Sequence, residues 1–376
     1  MPATPTFRTT TRHMLKESKT YASQTLMGGL SGFESPIGLD RRDRLSALKS
    51  GDIGFVHSWD INTSVDGPGT RMTVFMSGCP LRCQWCANPE GMRRKHNLMY
   101  TKARCKAVQN HCSRCVFACP VGAVTIDAQT HLPEIQRVKC MDCTDYACVN
   151  ACNYEALRIS GKEYTVDELM DVIQRDRIFW DSDGGVTFGG GDPMVQWEFL
   201  IEALKACKAR QIHTAIETEG YADTEVFLKV MEYIDFAFVD IKHMNSLKHE
   251  EKTGVRNERI LENLRALKKS GWNRRIILRT PVIPGFNDDE ENARNTIAFM
   301  KENGYFEINL LPFHRMGTSK WEQLGLEYPY RDVPNLTKEA LYPLQQIYLD
   351  AGIACYVDTD VIYSVHPIRR ACRPAD

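Results

Sequence analysis

The chain has 376 residues, 43% of them hydrophobic and 25% charged, with a formal net charge of −1. That length supports one large domain or two smaller ones with a well-buried core. The near-neutral charge offers no bulk attraction for nucleic acid or an anionic membrane, and no apolar run approaches the roughly 18 residues of a membrane span, so a cytoplasmic protein is expected.

The N-terminal MPATPTFRTTTRHMLKESKTYASQ lacks the apolar stretch of a secretory signal. Its Thr, Ser and Arg content is also that of a transit peptide, but the plainer reading of residues 1–50 is a flexible basic extension. Segments 52–62 and 71–78 read as strands, with the turn DGPG at 66–69 between them. SGCPLRCQWCANPEG follows at 77–91. Residues 100–157 are dense in cysteine and short of periodic segments, as expected of an inserted small domain held by metal rather than by an apolar core. From 163 onward the pattern is regular: helices over 165–178, 196–210, 223–233, 257–270, 288–303 and 337–351, and strands over 184–193, 213–218, 236–242, 275–283, 307–313 and 353–358. This alternation predicts an α/β fold with parallel strands and right-handed crossovers. GGGDP, ETEG, DIKH, RTPVIPG and LPFH stand at the strands' C-terminal ends, where β/α barrels carry their active sites.

Fourteen cysteines are present, eleven of them from Cys79 to Cys152. In a long chain without a secretory signal, such clustering reads as metal or iron–sulfur ligation rather than disulfides. Cys79, Cys83 and Cys86 are spaced C-x3-C-x2-C. A structural zinc takes four protein ligands, whereas a [4Fe–4S] cluster on three thiolates leaves one iron free; spacing alone does not decide between them. Cys112, Cys115 and Cys119 precede Pro120 as in the tail of a bacterial ferredoxin run, with Cys105 seven residues upstream. A second run, Cys140, Cys143, Cys148 and Cys152, has two extra residues in its middle and Asn153 in place of proline. The ferredoxin rule, by which the last cysteine of each run serves the other cluster, groups Cys105, Cys112, Cys115 and Cys152 in one site and Cys119, Cys140, Cys143 and Cys148 in the other. Zinc is the alternative occupant of the insert.

DGPGTRMTVFMSGCPLRCQWCANPEG, VTFGGGDP, ETEGYAD, DIKHM, RTPVIPGFND and LLPFHRMGTSKWEQLG together resemble the glycyl radical enzyme activating enzymes of the radical S-adenosylmethionine (SAM) superfamily, over residues 60 to 325. The resemblance implies a partial (β/α)6 TIM-like barrel over 51–99 and 158–376, with a ferredoxin-like insert of two [4Fe–4S] clusters over 100–157. It implies a third cluster on Cys79, Cys83 and Cys86 whose open iron chelates SAM. Reductive cleavage of SAM gives a 5′-deoxyadenosyl radical, which takes a hydrogen from one glycine of a partner enzyme, with flavodoxin or ferredoxin as electron donor. The family pattern places Gly190, Gly191 and Asp192 at the methionine amino group, although Asp192 is one methylene shorter than the usual Glu. It places Glu217, Thr218, Asp240 and Lys242 near SAM and, in some members, around a monovalent cation. Glu217 and Asp240 would repel unless SAM's sulfonium, Lys242 or a cation stood between them. Arg279, His314, Trp85 and Asn88 are implied SAM contacts, with Trp85 packing on adenine, and Asp66 is the implied grip on the partner's glycine loop. His57, His96, His111, His131, His213, His249 and His366 read as ordinary structural residues.

The expected partner is a dehydratase, decarboxylase or C–S/C–N lyase, the isethionate sulfite-lyase type included, rather than pyruvate formate-lyase. Two competing readings are a radical SAM enzyme acting on a small molecule and a ferredoxin-type electron carrier. A monomer is the default.

Overall fold

The computed structural model describes residues 50–361 apart from Asp142, together with Tyr363. The extension expected over 1–50 lies, except for Ser50, outside the described residues, as do His366 and Cys372. The strands are β1 (Ile53–Thr63), β2 (Arg71–Met76), β3 (Asn97–Tyr100), β4 (Val124–Ile126), β5 (Pro133–Ile135), β6 (Leu157–Ser160), β7 (Lys162–Thr165), β8 (Gly185–Gly190), β9 (His213–Thr218), β10 (Phe236–Asp240), β11 (Arg275–Val282), β12 (Glu307–Pro312) and β13 (Ala354–Val357).

Nine of them form one sheet in the order β13-β12-β11-β10-β9-β8-β2-β1-β7. From β2 through β8 to β13 all pairings are parallel, as the alternation predicts. At the other edge β1 runs antiparallel to both β2 and β7. For β2 the reason is chain length: the 64–70 connection is too short for a parallel crossover, which takes a dozen residues or more. Two small antiparallel pairs, β3 with β6 and β4 with β5, carry the cysteine-dense segment.

Side chains alternate across the sheet with the period of two that strands impose. On β10, Ala237 and Val239 join the large core beneath the helices. Phe236 and Phe238 point the other way, into a smaller cluster with Ala215, Ile277, Tyr356 and Val361. Each fully buried phenylalanine, isoleucine or valine among them contributes about 1.5–3 kcal/mol. The helix Val166–Asp176 starts on a capping box in which the Thr165 hydroxyl accepts from the Glu168 N–H and the Glu168 carboxylate accepts from the Thr165 N–H. Besides the three short helices of the cysteine-dense segment, Ala107–Asn110, Arg114–Ala118 and Ala147–Asn150, two others escape the periodicity argument, Ser246–Thr253 and Thr318–Gln323. Each buries too little for an apolar stripe to show: His249 and Thr253 in one, Trp321 in the other.

His249, 1% exposed, sets Nδ1 2.6 Å from the Val255 carbonyl, and burial pushes its pKa down to about 4. Burial does the same to His57 and His213. An unfolded histidine titrates near 6.5, so the unfolded chain binds more protons in the window from 6.5 down to about 4, and stability is lost as pH falls through it. The drop in melting temperature of the apoprotein between about pH 7 and about pH 5 is therefore expected to shrink in His249→Gln; an unchanged drop would count against a buried neutral imidazole there.

Candidate active site

The three-cysteine loop leaves the C-terminal end of β2 and is pinned on several sides. The Gly78 and Cys79 amides donate to the Gly91 and Met92 carbonyls, at 2.6 and 3.2 Å. The Arg82 and Gln84 amides donate to Thr253 and Lys252, at 2.6 and 3.1 Å. From the helix Thr318–Gln323, the Trp321 indole N–H donates to the Cys86 carbonyl at 2.8 Å. Lys320 donates to the Asn88 side-chain oxygen and pairs with the buried Glu90, each at 2.6 Å. Trp85 is 8% exposed, its ring against Phe286 and Tyr330 at centroid distances of 5.1 and 6.1 Å.

Cys79, Cys83 and Cys86 are free thiols. Burial pushes each up, Cys86 to about 12, and Glu219 adds to the rise at all three. Thiolates this far from water keep their charge only against a positive centre. Their donor set therefore fits an iron–sulfur cluster.

Glycine is obligatory at the loop after β8. A Cβ on Gly190, whose φ is +116°, would stand 2.4 Å from the Met76 nitrogen, and one on Gly191 would stand 2.2 Å from the Gly78 carbonyl oxygen. The Gly191 and Asp192 amides donate to Met76 and Gly78 at 2.8 and 2.7 Å. The glycine loop and the cysteine loop are thus locked backbone to backbone. Asp192 is fully buried. Its carboxylate accepts from the Met194 amide at 2.9 Å, from the Thr218 hydroxyl at 2.9 and 3.0 Å, and from the Glu219 amide at 3.2 Å.

Around it the buried charges sort into pairs. Lys242, 4% exposed, contacts Asp240 and lies 3.4 Å from Glu219. Arg279 pairs with Glu217 at 2.5 Å, lies over the Phe238 ring at 3.6 Å and reaches the Val65 carbonyl at 3.4 Å. Burial pushes Glu217 up to about 7, against the pull of Arg279. Lys242 and Arg279 thus face the two acids that the sequence places in conflict. Of these basic groups the sequence argument names only Lys242 for that task. His314 follows β12 half-buried, with Nδ1 3.4 Å from the Met316 amide, and burial lowers its pKa.

Asp66 accepts at one oxygen from Thr63 and Thr73, at 2.9 and 2.8 Å, while its carbonyl accepts from Thr187 at 2.7 Å. Beneath this turn lies Arg71, which is 0% exposed. It donates to the Pro68 and Val186 carbonyls and the Thr187 hydroxyl, and burial pushes its pKa down to about 10. Tyr363 closes the same corner, its hydroxyl donating to the Val65 carbonyl at 2.5 Å and its ring against Phe236 and Phe238.

In the insert, one small cavity is lined by Cys105, Cys112, Cys115 and Cys152 together with Tyr100 and Arg114. Cys148, pushed up to about 12 by burial, feels Cys119, Cys140 and Cys143 more strongly than Cys115. Among the described residues, no three His, Cys, Asp or Glu side chains converge on a point that would hold a single metal ion. Likewise no described helix is long and apolar enough to cross a membrane.

The sequence reading missed Glu219, Lys320, Glu90 and Arg71. Glu219 stands in the quoted ETEG and beside the shortened Asp192, which was the available signal. The other three also stand inside quoted motifs, Arg71 in DGPGTRM, Glu90 in CANPEG and Lys320 in GTSKWEQLG, but their partners are set by the fold. Because Gly191 leaves no room for a side chain, Gly191→Ala is expected to part the two loops. After anaerobic reconstitution its iron content should fall toward that of a Cys79, Cys83 and Cys86 triple alanine variant; iron equal to the parent would show that the loops tolerate separation.

Comparisons with known proteins identify the family. A model described as the radical SAM superfamily matches residues 143–297, and a 4Fe-4S single cluster domain matches residues 65–117. The 4-hydroxyphenylacetate decarboxylase activating enzyme of Clostridium scatologenes is 52% identical over 292 residues, covering 78% of this chain and 93% of the relative. The indoleacetate decarboxylase activating enzyme of Tractidigestivibacter scatoligenes is 40% identical, covering 78% and 93%. The isethionate sulfite-lyase activating enzyme of Oleidesulfovibrio alaskensis is 42% identical, covering 71% and 86%. With identity of this order along nearly the whole of these relatives, the chain belongs to the glycyl radical enzyme activating enzymes of the radical SAM superfamily.

Proposed function

We propose that this activase serves a glycyl radical decarboxylase of the arylacetate type. The observation that carries the choice of partner is the 52% identity to a relative named for 4-hydroxyphenylacetate decarboxylase, against 42% for the relative named for isethionate sulfite-lyase. The open sheet order, with parallel strands from β2 to β13, supports a partial (β/α)6 barrel over 51–99 and 158–376. The two separate cysteine groups support a ferredoxin-like insert over 100–157 with two clusters in crossed ligation. One cluster takes Cys105, Cys112, Cys115 and Cys152; the other takes Cys119, Cys140, Cys143 and Cys148.

The cluster on Cys79, Cys83 and Cys86, when bound, supplies the electron that splits SAM into methionine and the 5′-deoxyadenosyl radical. The protein's own residues position and shield. Gly190 and Gly191 bring backbone close to the methionine end of SAM. Asp192 anchors that loop, and Thr218 orients Asp192. Lys242 holds Asp240, and Arg279 holds Glu217, so the wall beside SAM keeps fixed charges. Trp85, Asn88 and His314 serve the adenosine part. No protein acid or base is required: the radical takes a hydrogen atom from the partner's glycine, and what counts is bringing that glycine close in a site kept dry. Asp66, braced by Thr63, Thr73 and Arg71, grips the glycine loop. The monovalent cation of some relatives is left out of this reading, because Arg279 and Lys242 already face Glu217 and Asp240.

The donor in this reading is an acidic flavodoxin or ferredoxin in the cytoplasm. The exposed Lys102 and Arg114 near the Cys105 group complement its charge.

With SAM and reductant, the reconstituted chain is expected to release 5′-deoxyadenosine and to raise a glycyl radical signal on an arylacetate decarboxylase but not on an isethionate sulfite-lyase. Equal signals on both would refute the assigned partner. Replacing Cys115 and Cys152 with alanine should slow reduction of the SAM-binding cluster by flavodoxin; a normal rate would remove the insert from the electron path.

A further inference from the structure

A short route of hydrogen bonds joins one end of the cysteine-dense segment to the three-thiol loop. The Cys140 amide donates to the Arg137 carbonyl at 3.1 Å. The Arg137 guanidinium donates to the Gln323 carbonyl at 2.7 Å and also to the Leu98 carbonyl. In the same helix as Gln323, the Trp321 indole N–H donates to the Cys86 carbonyl at 2.8 Å. Gly325 keeps the place open for Arg137, since a Cβ there would stand 2.7 Å from the Arg137 Nε.

The β3–β6 ladder shows which group of four cysteines this route serves. Its Asn97–Ser160 end adjoins β7 and the main sheet. Its Tyr100–Leu157 end lies three residues farther out, about 10 Å along a strand. Contacts of the Cys140 group fall toward the near end. Arg137 holds the Leu98 carbonyl, the Tyr146 hydroxyl donates to the His96 carbonyl at 3.4 Å, and Lys95 acts electrostatically on Cys140. The cavity lined by Cys105, Cys112, Cys115 and Cys152 is bordered by Tyr100, Ala156 and Leu157, at the far end.

Electron transfer falls steeply with the gap to be crossed, and covalent and hydrogen-bonded links carry it better than contact through space. Resting on the electron-relay reading above, we propose that Arg137 and Trp321 bridge the insert to the radical-forming loop. Cys119, Cys140, Cys143 and Cys148 then hold the inner station of the relay, and Cys105, Cys112, Cys115 and Cys152 the outer one, beside the donor. One electron, supplied by the reduced flavodoxin or ferredoxin, is all that passes; no bond forms or breaks and no proton moves along the route. Arg137 and Trp321 are positioning residues in this assignment.

The order is tested on the reconstituted chain without SAM, fully reduced with dithionite. Neighbouring reduced clusters broaden each other's electron paramagnetic resonance signals, an effect that falls with the cube of their separation. The signal of the three-cysteine cluster should stay broadened in Cys112→Ala/Cys115→Ala and sharpen in Cys140→Ala/Cys143→Ala. The reverse, or the same response in both, overturns the order. Iron content shows that each pair removes one cluster only; where a pair strips both, Arg137→Met, with every cysteine kept, decides. Mixed with reduced flavodoxin and freeze-quenched, Arg137→Met should show the insert signal at the parent's rate and lose the fast appearance of the three-cysteine signal. Arg137→Lys, which returns a cation to the Gln323 carbonyl, should recover part of it. Appearance at the parent's rate in Arg137→Met overturns the bridge. So does a narrowed three-cysteine signal in that variant, which would make Arg137 merely structural. Reduction at the parent's rate in a chain lacking both insert groups would be a failure of the relay reading, not of the order, which the broadening reports without any donor.

Discussion

Charge that has been taken out of water must be matched locally, and this constraint organises the ends of β8 to β11. Asp192, Glu217, Glu219 and Asp240 gather there around Lys242 and Arg279. A buried ion left without a partner costs several kcal/mol. The two basic side chains are accordingly tied down, one to Asp240 and one to Glu217. Asp192 and Glu219 are matched less directly: the first by the Met194 and Glu219 amides and the Thr218 hydroxyl, the second by Lys242 at 3.4 Å.

Geometry enforces where that charge is set. Gly190 and Gly191 let the loop after β8 touch the backbone of the cysteine loop, so Asp192 is placed relative to Cys79 by main-chain contacts rather than by flexible side chains. Arg71 performs the comparable task beneath the turn between β1 and β2. A guanidinium without solvent exposure, spending its donors on the carbonyls of Pro68 and Val186 and on the Thr187 hydroxyl, is a rigid bracket for the turn that carries Asp66.

Much of this was legible in the sequence, because the chemistry resides in short motifs at strand ends. The C-x3-C-x2-C loop, GGGDP and DIKH needed only the β/α alternation to bring them together, and local periodicity supplied it. What was not legible depends on long-range packing. The Trp85 ring is packed by Phe286 and Tyr330, residues more than two hundred positions away. Lys320 acts from a helix whose single buried residue leaves no pattern. Arg71 reads as a polar position on an ordinary strand until the fold closes over it. Glu219 was hidden for a different reason: Glu217 and Thr218 match the family pattern, and the next acid drew no notice beside them. The antiparallel pairing of β1 with β2 is set by the short connection between them, a signal that periodicity does not carry, and the pairing of β1 with β7 is a long-range contact.

The helix Thr318–Gln323 has one more consequence. Its Trp321 holds the carbonyl of the third thiol residue and its Lys320 holds Asn88 and Glu90. Its last residue, Gln323, is grasped from the cysteine-dense segment by Arg137 at the carbonyl and Arg158 at the side chain, at 2.7 and 2.9 Å. One short helix therefore touches both the three-cysteine loop and the cysteine-dense segment. A shift of Arg137 or Arg158 would be felt through it at Cys86, so the placement of the third thiol is coupled to the folding of a segment far from it in sequence.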